Sequence, residues 1–465
     1  MKLVDDKNWP PALAAMQSII ELKTFNSLPA DFRYTVLSTA GRVATDHGSP
    51  ALAYGYLGRV IDMPQADFAD WVARLRMSDK LGHEAAAVSA LTMLVQRWPE
   101  RSGKFDSDYI LKELDEARKL PNGAELKLLE ALYAAHWKVK WDIEPSSTWR
   151  DLSLLLLDKD RPADAKDVAG HVTDVYVLIA MRADRRFDAV VAANPAHFDI
   201  EAAAEREFHA LQAAADKTPQ SLQLESWVID SLLRRQHYEA ALAASDSILT
   251  DIQSTNDPAK LFEDFDEEHS WFLNLRSTAL QRVGRWDEGL AQLIDASRLM
   301  EKYGGNVDQL INLGDLYCSL GRPSDALSAI GSVTARMSPF GAMQMEEVRI
   351  DAAQQLGDVK QVERSLKYLR IHRADAPNAY EGALIIVNQL DRAAHELAEE
   401  LRNSDERQDA LLSIQDFAPT PETPRDMDFD ARYRKVIANP EVQAEIRKVG
   451  RVESNPLEAP AGAAF

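Results

Sequence analysis

The chain has 465 residues, 46% of them apolar and 27% charged, enough for ample core but more than one globular core usually holds, so two or three domains or one long repeat array are expected. Its 53 Lys and Arg against 74 Asp and Glu leave a formal charge of −21, which repels phosphate backbones and anionic lipid and so disfavours nucleic acid and membrane as partners. A single cysteine, Cys318, rules out an internal disulfide framework and a Cys-based zinc site, and its place inside a helical pattern makes it buried filler.

The first ten residues, Met1 to Pro10, lack the apolar stretch a signal peptide needs, and nowhere do about 18 apolar residues run together. The chain therefore reads as soluble and cytoplasmic, or periplasmic if an export signal has been trimmed away. Residues 34–64 read as a helix pair carrying Leu37, Gly41, Gly48, Ala53, Leu57 and Val60; residues 68–101 read as another, with Trp71, Leu75, Gly82, Ala87, Leu91, Leu94 and Pro99. Between 101 and 220 the register is lost, although helical runs persist at 106–119, 124–139, 147–157, 174–182 and 200–215. Trp137 and Trp141 stand four apart there, alternating with Lys138 and Lys140. They are candidates for an exposed aromatic-basic patch that binds a peptide or sugar, with core packing as the commoner role of such pairs. Glu201, Glu205 and His209 recur every four residues, a spacing compatible with metal ligation or acid-base work but more ordinarily a solvated helix face.

Residues 222–253 form a weaker pair with Tyr238 and Ala241. The run Glu263-Asp264-Phe265-Asp266-Glu267-Glu268-His269 suits a helix N-terminal flank favoured by the macrodipole, with attraction of a basic segment or cation as the alternative. Three more pairs occupy 270–304, 307–339 and 343–377. In the clearest, Leu310, Leu313, Gly314 and Tyr317 precede Gly321, then Ala326, Ile330 and Val333 recur at helical spacing. Gly314 and Ala326 are expected where the helices cross, Gly321 in a left-handed turn, and Pro339 at the end of the second helix. Three prolines at 419, 421 and 424 predict an extended connector. Two short helices at 429–438 and 441–449 come after it, either capping the last repeat or docking in a groove, and residues 459–465 are expected to be disordered. Asp426, Asp428 and Asp430 lack the Gly and distal Glu of a calcium loop and suit helix capping.

Aligned on Gly48, Gly82, Gly284, Gly321 and Gly357, the chain shows separations of 34, 37 and 36 residues within its two clear stretches, and small residues stand five positions after four of the five. This pattern resembles the tetratricopeptide repeat (TPR), in which Trp or Leu, Leu-Gly, Tyr, Ala, an aromatic, Ala and Pro recur over about 34 residues. The resemblance implies an all-α, TPR-like α-solenoid, a right-handed superhelix of antiparallel helix pairs. The expected organisation is helix pairs over 1–100, degenerate repeats over 101–220, a second array over 221–416, and connector, capping helices and tail over 417–465. Residues 182–188 and 449–454 are also similar to segments of uncharacterised proteobacterial TPR proteins, a group without an assigned activity.

Catalytic signatures are missing. His83-Glu84 and His395-Glu396 each begin a zinc-protease helix motif, but Ala87 and Glu399 stand where the second His must fall. No nucleophile elbow, phosphate loop or dinucleotide turn occurs, so no enzyme activity and no cofactor or metal are expected. The TPR resemblance implies a scaffold whose concave face, lined by the first helix of each pair, receives a peptide or helix of a partner protein. The exposed positions of that face are taken as Asn274, Thr278, Gln281, Gln309, Asn312, Asp315, Gln344, Glu347 and Asp351. They are polar to acidic, and the Lys, Arg and Asn of a carboxylate clamp are absent, so a basic or mixed-charge partner is expected. Two rivals remain: an (α/α)₆ toroid acting on carbohydrate, and a self-associating scaffold.

Overall fold

A computed structural model describes residues 9–299, 306–334 and 336–460. The readings of residues 1–8 as free of an export signal and of 461–465 as disordered lie outside the described residues. The chain divides into two compact units, residues 1–172 and 173–465.

The first unit holds α1 (Trp9–Ile20), α2 (Ala30–His47), α3 (Pro50–Ile61), α4 (Phe68–Lys80), α5 (Glu84–Arg97), α6 (Ser107–Lys119), α7 (Ala124–Ala134), α8 (Ser146–Asp158) and α9 (Pro162–Ala169). The second begins with α10 (Val175–Ala183), α11 (Asp188–Ala193), α12 (Ile200–Lys217), α13 (Leu222–Arg234), α14 (Tyr238–Ser254), α15 (Phe265–Arg282), α16 (Trp286–Ala296), α17 (Val307–Ser319) and α18 (Pro323–Gly331). It continues with α19 (Pro339–Leu356), α20 (Val359–Ile371), α21 (Pro377–Ile386), α22 (Leu390–Arg402), α23 (Arg407–Ser413), α24 (Pro424–Ile437) and α25 (Pro440–Val449). No β-strand occurs among the described residues; three isolated bridges pair Val139 with Ile143, Asp184 with Gly450, and Asp416 with Ser454. The fold is an all-α, TPR-like array of tandem antiparallel helix pairs.

Small residues set the helix crossings. A Cβ on Gly314 would stand 2.9 Å from both Ile330 Cγ2 and Val348 Cγ1, so α17 approaches α18 and α19 only because that atom is missing. Ala326 across the crossing has no exposed surface. In the first unit, α2 and α4 share a buried ionic knot: Asp70, 0% exposed, accepts from Tyr34 Oη at 2.9 Å, Ser38 Oγ at 2.6 Å and Arg42 Nε at 2.9 Å. A carboxylate is tolerated inside a core only when its lone pairs are filled in this way.

One turn recurs along the chain. Gly82, His136, Asp160, Gln236, Gly284, Gly321, Gly357 and Asn388 are left-handed. Each donates its N–H to the carbonyl three residues back, and the following N–H reaches the carbonyl five residues before it. This double bond satisfies carbonyls that a helix end leaves open. Gly321 thus supplies the expected turn, at φ +70°. Gly48 does not; its backbone is extended, and Ser49 caps α3 instead.

Two boundaries differ from expectation. Helix α7 stops at Ala134 rather than near residue 139 because the left-handed turn at His136 ends it. Pro339 opens α19 instead of closing α18, which ends at Gly331; Ser338 caps it by accepting from the Gly341 N–H at 3.0 Å. At the first helical position a proline has no N–H bond to lose.

In the second unit the first helices α13, α15, α17, α19 and α21 pack on one another in succession, while α14, α16, α18 and α20 each lie outside between two of them. Followed from neighbour to neighbour, the array returns to its start, since α23 packs against α10.

Candidate functional site

The inner helices α15, α17 and α19 carry the residues that the sequence assigns to the partner-binding face. On α17, Asn312, Asp315 and Ser319 share one face at helical spacing, while Leu313 and Leu316 point into the core. Gln309 falls on the core side with those leucines. It is 0% exposed and both its amide atoms lack a hydrogen-bond partner, so its expected place on the binding face is corrected.

The remaining positions lie on three inner helices, α15, α17 and α19, with the Gln281 side chain turned toward Gly289 of α16. Asn312 Nδ2 lies 3.5 Å from Asn274 Oδ1 on α15. Thr278 donates to the Asn274 carbonyl at 3.4 Å, and Gln281 Nε2 to Ser277 Oγ at 3.1 Å. Gln344, Glu347 and Asp351 on α19 are half-buried. Asp315 keeps exposed surface, yet the protein crowded around it and the charges of Asp351 and Asp426 push its carboxyl up to about 7. Glu347 is raised well above the carboxylate range by burial, then by Asp315 and Asp351. Among the described residues neither Asp315 nor Glu347 has a hydrogen bond or ion pair. Asp351 does, with Arg425 on α24 at 3.1 Å and Gln355 at 3.1 Å.

The C-terminal segment gathers at the C-terminal ends of the inner helices. Asp426, locked in a capping box with Thr423, accepts from Ser319 Oγ at 2.8 Å, and Arg432 donates to the Ile386 carbonyl at 2.9 Å. Helix α25 packs on α22. Beyond it, the two segments likened to proteobacterial proteins meet. Arg182 pairs with Glu453 at 2.8 Å, Arg451 with Asp188, and the Arg451 N–H donates to the Ala183 carbonyl at 3.0 Å. Glu458 completes the clasp by accepting from Arg282 Nε at 3.0 Å and Tyr238 Oη at 3.2 Å, while its own N–H donates to the Arg234 carbonyl at 2.9 Å.

No family model and no curated protein matches the sequence. Among solved structures the chain is similar to that of Naa15/Naa10 bound to HypK-THB, at 13% identity and TM-score 0.23 over 96% of this chain and 78% of that one. It is also similar to the APC/C hetero-tetramer Cut9-Hcn1, at 10% identity and TM-score 0.30 over 96% and 84%. A third is the P58(IPK) TPR domain, at 13% identity and TM-score 0.21 over 77% and 98%.

Of the other candidates, Trp137 is 2% exposed and therefore no part of an open aromatic patch; its indole meets Trp149 edge to face at 6.4 Å. Trp141 is half-buried and left-handed at φ 62°, with Lys140 Nζ 4.1 Å above its ring. The assumed helical spacing fails because this stretch is a bend. Glu201, Glu205 and His209 lie on an exposed face of α12, where Glu205 takes His209 at 3.0 Å and Arg235. From the acidic run, Asp264 does a task no spacing announced: its carboxylate accepts the Leu222 N–H at 2.7 Å and Ser221 Oγ at 2.8 Å, capping α13 across the chain. Among the described residues no group of three or more His, Cys, Asp or Glu is placed to hold a metal ion, and no helix is long and apolar enough to cross a membrane.

Proposed function

We propose that the protein is a non-enzymatic interaction module that holds a cationic segment of a partner protein on the acidic inner face of the second unit. The observation that carries this reading is the pair Asp315 and Glu347, carboxyls on adjacent inner helices with no cation beside them. Folding has placed two acids where Asp315 raises the proton affinity of Glu347 and Asp351 raises that of both, and an incoming ammonium or guanidinium relieves both. Arg425 provides the precedent within the chain, since it delivers a guanidinium to the neighbouring Asp351. Asn274, Thr278, Asn312 and Gln344 flank the pair as hydrogen-bonding positions for an extended or helical peptide. A polyanion is repelled by the net charge of −21.

Calorimetric titration with lysine- and arginine-rich peptides, against acidic and neutral controls, tests the reading. Basic peptides bind, and the double variant Asp315→Asn, Glu347→Gln loses about tenfold in affinity or more. Because Asp315 titrates near 7 and only its ionised form attracts a cation, affinity rises between pH 6 and pH 8 in the wild type and stays level in the variant. Equal binding by both proteins, or no preference for basic peptides, discards the proposal.

One observation favours an enzymatic reading. The second unit returns on itself through α10 and α23, and a carboxyl protonated near neutrality beside another is the equipment of glycoside hydrolysis. Release of reducing ends from a glycan panel, abolished by Asp315→Asn, would establish it in place of the first.

A further inference from the structure

The repeat turn at His136 differs from its seven counterparts in the length of chain that separates it from the next α-helix. After Gly82, Asp160, Gln236, Gly284, Gly321, Gly357 and Asn388 that helix starts two residues on; after His136 it starts ten residues on, at Ser146. The inserted segment 137–145 is a tight bend in which the Val139 N–H donates to the Ile143 carbonyl at 3.0 Å and both Trp141 and Asp142 are left-handed. Aspartate enters that region with modest strain; a tryptophan does so only when its surroundings impose it. Insertions that interrupt a repeat are where such arrays carry ligand sites.

The bend walls a pocket of about 270 Å³, lined by Tyr133, His136, Trp137, Lys138, Glu144, Trp149 and His171, all in the first unit. The Tyr133 ring stands edge to face at 5.3 Å to both Trp149 and His171, and its hydroxyl is tied to Asp167 at 2.7 Å. Trp149 Nε1 donates to Glu144 Oε2 at 2.8 Å. The other carboxylate oxygen, Oε1, is 3.6 Å from Lys138 Nζ and 3.7 Å from His171 Nδ1. Both separations exceed a hydrogen bond. Lys138 Nζ is also 3.4 Å from Asp142 Oδ1, so one acceptor faces two potential donors, one of them already paired, with no hydrogen bond among the three.

The chemistry of that gap selects its occupant. A second cation must compete with Lys138, and an anion meets Glu144. A neutral hydroxyl answers all three groups at once, donating to Glu144 while its two lone pairs accept from Lys138 and His171. Aromatic walls suit the apolar CH face of a ring that carries such hydroxyls. The volume lies just below the range of about 300–1,000 Å³ typical of small-molecule sites, room for one ring and not for a chain of them. We infer that this pocket binds a single neutral pyranose, a function separate from the acidic face and drawing on no residue of the second unit.

Saturation-transfer NMR on the full chain with the methyl glycosides of glucose, galactose, mannose and N-acetylglucosamine tests the inference. At least one gives saturable binding at about millimolar Kd, Glu144→Gln weakens it about tenfold, and Asp315→Asn leaves it unchanged. Glu144→Gln retains the size of the side chain and an acceptor for Trp149. If its thermal melt is nevertheless lowered, Lys138→Met at the more open rim carries the same comparison, with an expected loss of several-fold. Absence of saturable binding by all four glycosides, undiminished binding by a folded variant, or tighter binding of glucosamine or glucuronate than of glucose overturns it.

Discussion

Two buried acids illustrate how much a single residue can govern. Glu381 and Glu400 are 1% and 5% exposed, and one oxygen of each has no hydrogen bond. Burial raises both above the usual carboxylate range. The charges of Glu400, Glu347 and Glu396 add to it at Glu381, those of Glu406, Glu396 and Asp409 add to it at Glu400, and Arg373 opposes at both. A glutamate in the unfolded chain loses its proton near pH 4.3, so above that pH the folded chain binds more protons, and stability falls as pH rises. The slope is about 1.4 kcal/mol per pH unit for each proton retained. Glu381→Gln removes one such titration. Urea midpoints measured at pH 5 and pH 8 should therefore fall less in the variant than in the wild type, and parallel falls would refute the assignment. Neither glutamate was marked by its sequence neighbours, since helical i,i+4 spacing looks the same for a solvated face and a buried one. Gln309 shows the converse: a polar letter suggested an exposed site, and only the leucines at 313 and 316 betrayed its core-facing side.

At the scale of elements, glycines in different settings predict opposite outcomes for one substitution. Gly321 is left-handed at φ +70°, so Gly321→Ala should lower stability by about 1–2 kcal/mol. Gly55 is exposed in the middle of α3, with nothing within 4 Å of a Cβ built on it, so Gly55→Ala should raise stability by about 0.5–1 kcal/mol. Denaturant midpoints of the two variants decide both signs. The same turn explains what was legible in the sequence. Where glycine fills it, at 82, 284, 321 and 357, the repeat period stood out. At His136 and Asp160 the hydrogen bonds are identical but the residue carries a side chain, so the register seemed lost over 101–220 while the turn recurred. The pocket at His136 was legible only as two tryptophans; the bend that makes it depends on φ angles for which Trp141 gives no warning.

For the whole molecule, the division at Val172 and the clasp between residues 182–188 and 449–458 make a joint prediction. A Cβ on Gly450 would stand 2.5 Å from the Ala183 carbonyl oxygen and 2.5 Å from Leu411 Cδ2. Gly450→Ala must push α10 away from α23, at about 1–3 kcal/mol or more. Calorimetry of the full chain is expected to resolve two transitions, with this substitution lowering one and leaving the other in place. A uniform shift of both would mean that the units do not melt independently.

The clasp also orders events in time. Arg182 meets Glu453 across 271 residues, and Tyr176 meets the Glu458 carbonyl across 282. A ribosome adding about 5–20 residues per second delivers the second half of these contacts long after the first. The first unit can finish folding during that interval, whereas α10 emerges with its partner segment unwritten. Contacts of such long separation are slow to form, so the second unit should be most open to chaperones and proteases between the synthesis of α10 and the arrival of residue 458.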